Sequence, residues 1–169
     1  MGIMTHTRHR ARRIHRSEDG AALVEFALLL PLLVIMFGVT VEGARIFWGY
    51  QNVAAGVRDA ARYVARIAPQ DTCSGATPSL AAYQDEAEDI IKLTIDGNSP
   101  FIPGISVTNV SVSHSCETGT YRRSPVTVAQ VTADVSMTLP FGGLISLGGG
   151  TLPGTISTSI FDQSRVFGQ

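Results

Sequence analysis

Ala21 to Val41 reads AALVEFALLLPLLVIMFGVTV. This stretch decides the architecture. It contains one charge, Glu25, in twenty-one residues. As a helix rising about 1.5 Å per residue it covers roughly 30 Å, the thickness of a bilayer's hydrocarbon core. The twenty residues before it hold Arg8, Arg10, Arg12, Arg13 and Arg16 against Glu18 and Asp19, a net of +3. The remainder holds eight basic and twelve acidic residues, a net of −4, so the chain's overall charge of −1 hides an asymmetry. Basic residues cluster on the cytoplasmic side of a span. Residues 1–20 are therefore predicted as a cytoplasmic leader, 21–41 as a membrane span, and everything after as extracytoplasmic.

Three kinds of segment fit such a run. A cleaved secretory signal needs a short apolar core followed by small residues at the cut. Here the core is long, and Glu42 and Arg45 crowd its far end. A plain signal anchor explains everything except Glu25. A carboxylate inside a membrane helix costs about 2.5–3.5 kcal/mol on insertion scales and marks function by default. A prepilin-type signal accounts for the basic leader, for Gly20 directly before the run, and for the acid.

The motif Gly20-Ala21-Ala22-Leu23-Val24-Glu25-Phe26 resembles the cleavage region of Tad-type (Flp) pilins and pseudopilins. Val24 to Leu33 is similar to the opening of TadE-like proteins, Gly43-Ala44-Arg45 resembles that family's FGR step, and Val53 to Ala65 resembles its alanine- and arginine-rich segment. The resemblance implies that a prepilin peptidase cuts after Gly20, leaving Glu25 fifth in the mature chain and Phe26 beside it. Cleavage would free the amine of Ala21, which is cationic near neutral pH. Glu25 would then pair with that amine in its own or a neighbouring subunit, removing a lone buried charge and setting register. The implied partners are the peptidase, other pilins and pseudopilins of the Tad machinery, the inner-membrane assembly platform and the lipid bilayer.

Nothing obliges the helix to stop at Val41. Val53, Val57, Ala60, Ala61 and Val64 recur at helical spacing, and Pro69 predicts an end near Ile67. Residues 42–68 are read as the extracytoplasmic continuation. Pro31 removes one backbone hydrogen bond and predicts a kink. Gly38, Gly43, Gly49 and Gly56 thin the helix, read as room for close packing between subunits or as local looseness. Arg58, Arg62 and Arg66 form a basic stripe, read as a solvated face or as a contact to lipid head groups or an acidic pilin.

Residues 69–169 are predicted as a small head. Ser79 is placed as an N-cap, with a second helix over about 80–95 and Gly97 as its C′ residue. Asp85, Glu86, Glu88 and Asp89 lie on that helix's outer face and lack calcium-loop spacing. Period-two alternation predicts strands at Ile105 to Val112, with a bulge at Asn109, and at Val126 to Leu139, with a slip near Gln130. Residues 114–125 are read as the loop between them. A last strand is placed at Thr155 to Phe161. The predicted fold is α+β and pilin-like: a long N-terminal helix, a second helix and an antiparallel sheet of about three strands. Cys73 and Cys116 lie beyond the span; an oxidising compartment favours one disulfide between them, with two unpaired thiols as the alternative.

No catalytic constellation stands out. His6, His9 and His15 lie in the leader, and His114 has no companion base or acid except Cys116 two residues on. There is no G-x-S-x-G elbow, no zinc spacing, and the glycines of 142–150 lack a phosphate-loop ending. The chain is read as a non-enzyme without cofactor, metal or nucleic-acid partner. The leading expectation is a minor pseudopilin acting in pilus assembly and surface adhesion, resident in the inner membrane and in the extracellular pilus. The alternatives are an unprocessed membrane-anchored binding protein and a secreted adhesin-like head, with Tyr121-Arg122-Arg123 as a contact in any of the three.

Overall fold

A computed structural model describes residues 18–75, 79–93, 97–143 and 153–168. Helix α1 (Glu18–Ile67) is 50 residues long and runs unbroken through Pro31. It ends where the sequence dictates: Ala68 N–H still donates to Val64 O, and Pro69 follows. A short 3-10 turn (Thr72–Ser74) and a second (Leu80–Tyr83) lead into α2 (Gln84–Lys92). Ser79 caps the second turn, its Oγ accepting from Ala81 N–H at 3.3 Å. The second helix is thus shorter than predicted. Its first turn is 3-10, and Leu93 is already extended at its C-cap. Gly97 has φ +74 but lies beyond that cap.

Three strands, β1 (Ile105–Glu117), β2 (Val126–Thr138) and β3 (Thr155–Arg165), form an antiparallel sheet in the order β1-β2-β3. The register of β1 on β2 shifts between Val107 and Asn109, where the phase of the apolar pattern breaks. Three expectations for the strands need correction. β1 does not stop at Val112, because His114↔Ala129, Cys116↔Thr127 and Glu117↔Val126 continue the ladder, so the connecting loop is only 118–125. And β2 does not slip near Gln130. Thr127, Ala129, Val131, Ala133, Val135 and Met137 are all buried on one face without interruption. Val126 and Val128 are on the other face, where they border a small hollow with Tyr121 and Arg165. Strand β3 also extends four residues beyond the predicted Phe161, to Arg165.

The second half of α1 lies over β2 and β3, and α2 lies beside it against β1. The core is Val53, Val57, Ala60 and Val64 from α1, Leu80 and Ile91 from the α2 region, and the inward residues of β1 and β2. Each fully buried valine or isoleucine contributes about 1.5–3 kcal/mol relative to exposure. Small residues on α1 bring the layers close. A Cβ on Gly56 would stand 3.1 Å from Ile91 Cα, and one on Gly49 would collide with the Ile105 side chain. These two glycines serve packing within the chain, whereas a Cβ on Gly43 would meet nothing.

Candidate membrane-spanning and processing segment

Gly20, Ala21, Glu25 and Phe26 lie in the first turns of α1. Ala21 and Glu25 are exposed, and Phe26 is 57 % exposed. Positions 21 and 25 are one helical turn apart on one face, about 6 Å along the axis. Among the described residues, Glu25 meets no cation. From Leu23 to Val39 the large apolar side chains other than the half-buried Ile35, among them Leu28, Leu32 and Phe37, point into open space. Only 6 % of the most apolar window of α1 is buried by the rest of the chain. A helix of this length and composition can cross a membrane. An exposed apolar surface this long is unstable in water and needs a lipid or protein environment.

The head begins where the apolar run ends. Glu42 is only 3 % exposed. Its Oε1 accepts from Phe141 N–H at 2.7 Å, and its Oε2 lies 3.7 Å from Arg45 Nη1. Arg45 Nη2 donates to Pro103 O at 2.6 Å. One acid and one base on adjacent turns therefore fasten two loops of the head to α1, and the carboxylate is buried with its partners in place. Sequence reading passed over this pair. The available signal was an opposite-charge i, i+3 pair directly after an apolar run.

A second fastening lies at the far end of α1. Phe167 N–H donates to Ala65 O at 2.8 Å, satisfying one of the helix's last carbonyls. Gln70 Nε2 donates to Phe167 O at 3.1 Å, Gln70 Oε1 accepts from Arg123 Nη1 at 2.7 Å, and Gln70 O accepts from Thr127 Oγ1 at 3.2 Å. Beside this knot a disulfide joins Cys73 to Cys116, with an S–S distance of 2.05 Å. The two groups of residues singled out in the sequence thus stand apart. Gly20 to Phe26 is at one end of α1, and the cysteines are past the other, about 70 Å away along the axis.

The remaining candidates are dispersed. His114 is exposed on β1. Arg58 approaches Asp162 at 3.9 Å and Arg62 approaches Asp59 at 4.0 Å, both in the open. Asp85, Glu86 and Asp89 are exposed on α2. His6, His9, His15 and most of the glycine-rich stretch lie outside the described residues. On the uncovered face of the sheet, Asp134 accepts from Ser159 Oγ at 2.6 Å and from Asn109 Nδ2 at 3.2 Å, linking all three strands. The Ser159 bond, then the Asn109 bond, hold its carboxyl below the ordinary carboxylate value.

The family model described as TadE-like protein matches residues 20–62. Over this segment the chain is similar to TadE-like proteins. The matched segment covers about a quarter of the chain. It takes in the apolar half of α1, the Glu42–Arg45 fastening and most of the packed half, and it stops before the head. No curated protein and no solved structure gave a significant match.

Proposed function

We propose that the chain is a minor pseudopilin of a Tad-type pilus, cut by a prepilin peptidase after Gly20 and acting in pilus assembly and surface adhesion. Its role is structural, not catalytic. The observation that carries this reading is the TadE-like match, which begins at Gly20 itself and includes Glu25 and Phe26. In this reading residues 1–20 face the cytoplasm, 21–41 cross the inner membrane, and the head is extracytoplasmic. A disulfide between Cys73 and Cys116 is in keeping with an oxidising compartment.

Cleavage after Gly20 removes only the first three residues of α1, so the mature helix keeps its full apolar surface. The new Ala21 amine stands within one turn of Glu25. In the bilayer the two neutralise each other. In a filament Glu25 can exchange its own amine for that of a neighbour, and the exposed apolar half of α1 then packs against other subunits instead of lipid. The partners are the peptidase, the other pilins and pseudopilins and the assembly platform.

The test is the intact mass and N-terminal residue of the protein from its native membrane, beside a Gly20→Ala variant. The expected mature chain starts at Ala21, and the variant keeps its leader. A leader retained in both rules out processing and leaves a permanently anchored extracytoplasmic binding protein.

A further inference from the structure

The level at which the head is fastened to α1 has a consequence for its surroundings. The apolar run ends at Val41. Phe141 is hydrogen-bonded through its N–H to Glu42, the next residue. Helical side chains lean towards the helix N-terminus, so the Glu42 carboxylate reaches back to the level of the run's last turn. Phe141 therefore stands at that same level. It is 40 % exposed, and Pro103 and Pro140 beside it are exposed too. Neither loop at this base, 99–104 nor 139–143, contains a charged residue. The two charges nearby, Glu42 and Arg45, are spent on each other and on backbone groups.

On the helix itself, Phe47 is 65 % exposed and Trp48 63 % exposed. They lie about 9–11 Å beyond Val41 along the axis, and their rings lean back by several ångströms. The headgroup layer of one leaflet begins where the apolar run ends and is about 5–8 Å deep. At 100° per residue, Phe47 and Trp48 point to the sides of α1 away from the head, while Phe141 comes from the head's side. The aromatic rings thus encircle the helix at one level. A protein partner would cover a stripe along the helix; a planar layer demands a ring across it. Tryptophan, an apolar ring with a polar N–H edge, favours the bilayer interface, so Trp48 marks that level, and the wholly apolar rings of Phe47 and Phe141 can insert beside it towards the acyl chains.

We propose that the head sits directly on the outer surface of the bilayer, with Phe47, Trp48 and Phe141 embedded in its headgroup layer as a single belt. The proposal rests on residues 21–41 being the span. The seat fixes the head's tilt. It holds the base loops against lipid and turns the far end of the head, with Gln70 and the disulfide, away from the membrane.

Trp48 is the only tryptophan, so the full-length protein reports on itself in phosphatidylcholine vesicles. Lipids brominated near the headgroup end of the acyl chain should at least halve its emission, while lipids brominated near the chain terminus quench it little and aqueous acrylamide quenches it weakly. A Trp48→Phe/Phe141→Trp variant should show the same shallow quenching. A Trp48→Phe/Leu30→Trp variant monitors the span separately, and deep bromines should quench it. If position 30 is deep but position 141 is open to acrylamide and untouched by any bromine, the seat is wrong and the span stands. If position 30 is itself open to acrylamide, the span reading falls and the seat with it. If Trp48 is shielded from both acrylamide and bromines, a protein surface covers it and the lipid belt is excluded.

Discussion

Residues 21–41 and 53–67 belong to one helix, and both are rich in apolar side chains, yet they have opposite surroundings. In the first half, bulky residues such as Leu23, Leu28 and Phe37 are distributed all round and stay exposed. In the second, the buried residues are small, Val53, Val57, Ala60, Ala61 and Val64, and confined to one face, with arginines on the other. Hydrophobic content is therefore a poor guide to what a helix touches. Distribution and size discriminate better: large and all-round for a fluid or exchangeable neighbour, small and one-sided for a fixed sheet.

That contrast can be broken experimentally. If the second half of α1 folds as one unit with the head, reducing the Cys73–Cys116 bond should cost the head about 3–4 kcal/mol in the chain-entropy model. Urea unfolding in detergent, with and without reductant, measures it; helicity of 21–41 should survive. Equal loss in both halves would mean the helix is a single cooperative unit. Next in size is one substitution made in each half. Ala60→Leu overpacks a fully buried site and should destabilise the head by about 1–3 kcal/mol. Ala27→Leu, on the exposed half, should leave the urea midpoint unchanged.

A smaller effect is expected at the far fastening. Gln70→Ala removes its side-chain bonds to Arg123, Phe167 and Gly168 and should cost about 1 kcal/mol, with faster amide exchange at the end of α1. The smallest lies on the open face of the sheet, away from α1 altogether. The Asp134 carboxyl titrates below its ordinary value of 3.8 in the folded chain. Its contribution is present above the unfolded value and is lost as pH falls through the lower, folded one. Asp134→Asn should therefore narrow the difference in urea midpoint between neutral and acidic pH, by a small amount because the group is solvated.

Much of this architecture was legible in the sequence because local chemistry and tertiary structure agree. Pro69 ends α1, the broken alternation at Asn109 marks the bulge, and Ser79 caps a turn. The failures are equally specific. Val126 and Val128 look inward by composition, but they lie on the uncovered face. Thr127 takes the inward position between them, its hydroxyl donating to Gln70 O, a partner 57 positions away in sequence. The long reach of β1 was hidden because His114, Ser115 and Cys116 carry no apolar signal. The TadE-like resemblance was readable from Gly20, Glu25 and Phe26, which lie inside the matched segment. The Glu42–Arg45 fastening was not, since a charge pair announces its burial only once Phe141 and Pro103 arrive from a distant part of the chain.

The two fastenings also determine how the protein bears load. Glu42 and Arg45 clasp the head at one end of its contact with α1, and Gln70 with the C-terminal residues clasps it at the other. Tension along the helix, such as a growing or retracting fibre would exert, cannot peel the head away one contact at a time. It has to shear both clasps together with the layer of valines and alanines between them.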